Sequence, residues 1–202
     1  MSSEFPAPDP NTDPSRTVPT PDEAAEALLA ALIELEHYVG ASGWDQPARL
    51  FALVETDDLI AAEPALAAQL QLRSSADSGL PGALTAIEQE EFHTGADLPD
   101  VLARIAWPDT VRGCALSLER VFLPAEFEAD LPEDPVAAER FVAEHPQRQE
   151  LRLIVGAVRR APGADADPIT HSLARLRGTP EELLSGTELA PGVSAAIAAT
   201  LG

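Results

Sequence analysis

Lysine is missing altogether: all 13 basic residues of this 202-residue chain are arginine. The absence removes Schiff-base chemistry on a lysine amine, the phosphate loop that ends in Gly-Lys-Ser/Thr, and the strand lysine of protein kinases. In a chain so rich in alanine, arginine in place of lysine reads as the mark of a GC-rich genome. There is one cysteine, Cys114, so neither an internal disulfide nor a thiolate cluster for zinc can form. Cys114 stands inside an apolar run, the setting of a small buried hydrophobe, whereas a nucleophile needs a partner base. Aromatic residues make up 4% of the chain and only two are tryptophan. No apolar stretch reaches the roughly eighteen residues that a membrane span requires. The N-terminus has no apolar core segment behind a basic start, so no signal peptide is expected, and with a single thiol the expected location is cytoplasmic.

Acid is abundant. With 34 Asp and Glu, the formal net charge is −21. Phosphate backbones and anionic lipid surfaces are recognised by clustered cations, so neither nucleic acid nor a membrane is an expected partner. Six of the 19 prolines fall within the first 21 residues. Residues 1–19 are therefore expected to be a disordered, acidic, proline-rich tail, and residues 20–202 a single domain.

Order begins at TPDEAAEALLAALIELEHYVGA. Thr20 and Glu23 form a capping box, Pro21 suits the first helical position, and Leu28, Leu32, Leu35 and Val39 recur at helical spacing before Gly40 and Gly43 stop the helix. ARLFALVET reads as a strand apolar on both faces, followed by a short helix from Pro64 to Leu72 and the loop SSADSGLPG. ALTAIEQEEF reads as a strand, LPDVLARIAWP as a short helix, and VRGCALSLERVFL as the clearest strand, with Cys114, Leu116 and Leu118 on one face. A helix capped by Asp134 and ended before Pro146 follows, then the strands QELRLIVGAVRR and THSLARLRG. TPEELLSGTELAPGVSAAIAATL reads as one broken helix or two short ones. The fold class is α+β: a mainly antiparallel sheet of about five strands covered by the N- and C-terminal helices, with the helices on one face.

The stretches GWDQPARLFALVET, EPALAAQL, GALTAIEQEEF, IAWPDTVRGCALSLERVFLP and ELRLIVGAVRR resemble an uncharacterised actinobacterial family of small acidic proteins, WDQP and AWPD being the most specific parts. The resemblance covers most of the chain after the tail. It implies a bacterial cytosolic protein and brings no activity or catalytic residue with it.

Trp44 and Trp107 each lie between a helix and a strand, where a bulky ring closes the open end of a layered core. Both are expected to be mostly buried and to serve the fold rather than to stack a ligand. Two Glu-x-x-His patterns, Glu34 with His37 and Glu90 with His93, match half of a di-iron carboxylate site. Such a site needs four long helices, and in a glutamate-rich chain the pattern recurs by chance. No metal or other cofactor is expected. His145 and His171 lack a nucleophile at a recognisable spacing, and no catalytic residue is assigned.

The charge distribution says more. Between Arg148 and Arg177 six arginines stand against three acids, in a chain that is otherwise strongly negative. Arg152, Arg159, Arg160, Arg175 and Arg177 form the candidate binding set on two adjacent strands. Either they pair internally with the protein's own acids or they receive an acidic peptide or phosphorylated ligand, for which arginine offers bidentate geometry. The reading that follows is a non-enzymatic protein-binding or regulatory domain with a protein partner, a homodimer being the other open arrangement. The alternative is a binder of small anions, or an enzyme, that uses the arginine-lined sheet face with His171 as base.

Overall fold

The computed structural model describes residues 19–93, 98–160 and 166–202; the tail expected over residues 1–19 lies outside the described residues except for Pro19. Helix α1 (Pro21–Ala41) starts where the capping box predicts. Thr20 Oγ1 accepts from the Glu23 N–H at 3.3 Å, and the Thr20 N–H donates to the Glu23 carboxylate at 2.7 Å. Its stripe of Ala27, Leu28, Leu32, Leu35 and Val39 is buried. The chain then turns sharply through Gly43 and Asp45, both at positive φ, which glycine tolerates freely and aspartate better than most residues.

Strands β1 (Arg49–Glu55), β2 (Leu84–Glu88), β3 (Gly113–Phe122), β4 (Gln149–Val158), β5 (Ile169–Leu176) and β6 (Leu183–Gly186) form one sheet in the order β2-β1-β3-β4-β5-β6. Every neighbouring pair is antiparallel. The antiparallel α+β expectation holds. The sixth strand replaces part of the expected C-terminal helix. The Glu182 N–H donates to the Thr179 carbonyl in a turn, and Leu183–Gly186 then pair with β5. A ladder along an existing strand outweighs the weak helix preference of the short segment Glu181–Leu184.

Helices cover both faces, not one. On the first face α1 packs over Phe51, Leu53, Ala115, Ile154, Val158 and Leu173. On the second, Ile197 of α7 (Pro191–Ala199) and Leu102 of α5 (Leu98–Leu102) pack over Leu50, Cys114, Leu116, Val155 and Ala157. The reason is legible in the central strands. Strands β1, β3 and β4 are apolar on both faces, and a sheet covered on one side would leave a full row of Leu and Val in water. Gly156 sets how closely α1 approaches: a Cβ there would stand 2.7 Å from Leu32 Cδ2 and 3.0 Å from Leu28 Cδ1.

Three short helices, α2 (Thr56–Ala62), α3 (Pro64–Gln69) and α4 (Ser75–Ser78), carry the chain from β1 to β2. Between β3 and β4 a 3-10 turn (Ala125–Asp130) and α6 (Pro135–Glu144) form an excursion beyond the core. Asp134 caps α6 as expected, and no residue of that helix is buried.

Candidate functional site

On the first sheet face, register carries a polar row across the strands just beyond the end of α1. Arg49 stands opposite Ser117, Glu119 opposite Arg152, and Arg152 opposite Arg175. The α1–β1 connection folds over this row. Arg152 is 2% exposed. It donates to the Gly43 carbonyl and to Glu119 at 3.1 Å, and its Nε has no hydrogen-bond partner among the described residues. The Trp44 ring stacks on it, with the Arg152 guanidinium carbon 4.6 Å from the ring centroid and that of Arg177 5.6 Å away. Glu119 also accepts the Asp45 N–H at 2.8 Å, so the connection is held from both sides.

Arg175 forms a two-pronged ion pair with Glu36 of α1, and Arg177 bonds Asp45 at 3.1 Å and Glu150 at 2.6 Å. These neighbours favour the charged guanidinium of both arginines, the bonded carboxylates being the main cause. The sheet thus brings together Arg152, Arg175 and Arg177, each bonded to carboxylates of this chain. Arg159 and Arg160 lie at the other end of β4. Arg159 donates to the carbonyls of Trp107, Pro108, Val111 and Leu201, tying α7 to the chain that enters β3, and Arg160 Nε donates to the Asp167 carbonyl at 2.8 Å. An open groove of about 610 Å³ borders Arg148, Gln149, Arg177 and Thr179.

Both tryptophans are mostly buried, as expected, each keeping a minor part of its surface exposed. Trp107 donates its indole N–H to Thr200 Oγ1 at 3.0 Å and packs against the second core cluster. Trp44 roofs the arginines. Cys114 is fully buried at 3.3 Å from the same Thr200 hydroxyl, and burial pushes its thiol up to about 11. His171 Nε2 lies 2.8 Å from Ser185 Oγ across β5 and β6, and burial lowers the basicity of the ring. Among the described residues no three His, Cys, Asp or Glu side chains converge as a metal site.

One feature escaped the sequence. At the outer edge of β2, a groove of about 450 Å³ runs between α1 and the loop after α3. It is lined by Tyr38, Phe51, Leu70, Leu72, Leu84 and Ala86, with Glu34 and Glu88 on the rim. Tyr38 is 56% exposed and Leu70 52%. On the opposite side of the same strand Ile87 is 41% exposed. Apolar residues left in water on both sides of an edge strand are the unusual observation here, because isolated exposed leucines are common and clustered ones are not. The only sequence signal was the acid run at the end of ALTAIEQEEF, and the groove depends on α1, β2 and the α3–α4 loop meeting in space.

A sequence model of the family described as PPA1309-like protein matches residues 28–202. The chain belongs to the PPA1309-like family. The matched span takes in the last two-thirds of α1 and every strand of the sheet. That description carries no activity, ligand or partner. No curated protein and no solved structure gives a significant match. No described helix of this PPA1309-like protein is long and apolar enough to cross a membrane.

Proposed function

We propose that this protein is a non-enzymatic protein-binding module whose docking surface is the groove between α1, β2 and the loop after α3. The observation that carries the reading is the exposure of Tyr38 and Leu70 beside an apolar groove at an open sheet edge. Leaving such side chains in water costs roughly 25 cal/mol per Å² of apolar surface, which a partner recovers on docking. The ionic chemistry elsewhere supports it: Arg152, Arg175 and Arg177 already hold carboxylates of the same chain. The reading includes a bacterial, actinobacterial cytosolic setting, supported by the absence of lysine and the single thiol.

The test is photo-crosslinking in the native cell with a photoreactive residue placed at Leu70 and, as a control, at Val136, which is exposed on α6. A protein crosslinked at Leu70 and not at Val136 supports the reading. Equal yields at both positions, or none at Leu70, overturn it.

A second reading, binding of a small anion, is favoured by the groove beside Arg148 and Arg177. An anion there displaces Glu150 or Asp45 from Arg177. Saturable binding of inorganic phosphate that disappears in Arg177→Gln supports this second reading.

A further inference from the structure

The groove lies beside a strand whose outer side is unpaired. The Gln89 N–H donates to the Leu50 carbonyl and the Thr56 N–H to the Ala83 carbonyl. With the register of Ala52 opposite Ile87 and Val54 opposite Thr85, this parity turns the backbone groups of Thr85 and Ile87 toward β1. The N–H and C=O groups of Leu84, Ala86 and Glu88 therefore point away from the sheet. β2 ends the strand order, and no hydrogen bond to these outward groups occurs among the described residues. Native sheets usually cover or blunt such an edge with charge, proline or a bulge. Here the edge is flanked by apolar side chains on both faces.

Resting on the binding reading above, we propose that the partner's segment docks as an added strand on β2. It is extended, carries apolar side chains at alternate positions, and bears arginine or lysine near its ends. Main-chain bonds to Ala86 and Glu88 supply the pairing. Its alternate side chains enter the groove against Tyr38, Leu70 and Leu72.

Charge selects the occupant. A second copy of this chain brings a net charge of −21 to a surface of the same sign. The chain's own residues 1–18 hold four prolines, at positions 6, 8, 10 and 14, and proline has no N–H to give a ladder. On the rim, Glu34 is exposed with no ion-pair partner among the described residues, and Glu90 and Glu91 follow β2 on the exposed surface. A cationic segment satisfies them, and an acidic one is repelled.

The probe is a short fluorescein-labelled peptide of alternating valine and lysine, titrated into the full chain and followed by anisotropy and by amide chemical-shift mapping. Saturable binding is expected, with shifts confined to Leu84–Glu88, Tyr38, Leu70 and Leu72. Affinity is expected to fall about tenfold or more between about 50 mM and about 500 mM NaCl, and the valine–glutamate counterpart is expected not to bind. Ala86→Pro deletes only an outward donor, leaves the bonds to β1 in place, and is expected to weaken the peptide by about tenfold or more. If that variant fails to fold, a peptide N-methylated on its pairing edge makes the same test against the unaltered protein. Equal binding by either control, or shifts mapping to another surface, overturns strand addition. A cellular protein crosslinked at Leu70 without binding of the valine–lysine peptide overturns strand addition alone. No crosslink at Leu70 overturns the binding reading and this inference together.

Discussion

Arg175 on β5 and Glu36 on α1 face each other in a two-pronged ion pair, Nε to Oε1 at 2.5 Å and Nη2 to Oε2 at 2.7 Å, and so bolt the last turns of α1 to the sheet. Glu36 is 3% exposed, so its charge has given up water for this one partner. Removing the partner leaves a buried carboxylate uncompensated. Arg175→Leu and Glu36→Leu are each expected to lower stability by about 2–4 kcal/mol, and the two together to recover most of that loss. Urea melts of the two single variants and the double variant check it. Additive losses in the double variant would contradict the coupling.

Cys114 makes stability sensitive to alkali. Burial raises the thiol from its ordinary value near 9 to about 11, so the folded state holds its proton longer than the unfolded chain does. The resulting contribution is present in full below the unfolded value and is lost as pH rises from about 9 through about 11. Melting temperatures of the protein and of Cys114→Ala, compared over that range, are expected to converge as pH rises. In the native state at neutral pH, thiol-alkylating reagents are expected to leave Cys114 unmodified until urea unfolds the chain.

Two glycines make a paired comparison. A Cβ at Gly113 meets backbone, colliding with the Ala157 carbonyl and standing 3.1 Å from Val158 Cα, whereas one at Gly156 meets only the methyl ends of Leu28 and Leu32. Methyl groups move more easily than a strand ladder. Gly113→Ala is expected to cost about 2–4 kcal/mol, and Gly156→Ala about 1–2. Equal losses in denaturant melts would show that α1 cannot give.

The tryptophans are expected to separate in the same assay. Trp107 fills space against α7 and carries a hydrogen bond, so Trp107→Ala is expected to cost about 2–4 kcal/mol, less than a fully buried ring. Trp44 contributes mainly by stacking on Arg152 and Arg177, and Trp44→Ala is expected to cost about 1–2 kcal/mol. A larger loss at position 44 than at 107 would reverse the assignment.

Local chemistry alone determined much of this protein. The capping box at Thr20 and Glu23, the stripe of α1, the Asp134 cap and the two-faced apolar strands each depend on neighbours within a few residues, and each is found where the sequence puts it. Cover was expected on one face only, although strands apolar on both faces need it on two. What that pattern could not say is which helix goes where, since an Ala-rich helix such as α7 fits either face equally well by composition. The tertiary structure decided that. It also paired Arg175 with Glu36, whose positions lie 139 residues apart, and turned Leu183–Gly186 from helix to strand by offering β5 as a template. It left β2 as the edge, with Tyr38, Leu70 and Ile87 beside unpaired backbone. Spacing along the chain encodes only the first kind of fact, because an ion pair, a strand order or a groove depends on which distant segments meet, and that is set by packing the whole chain at once.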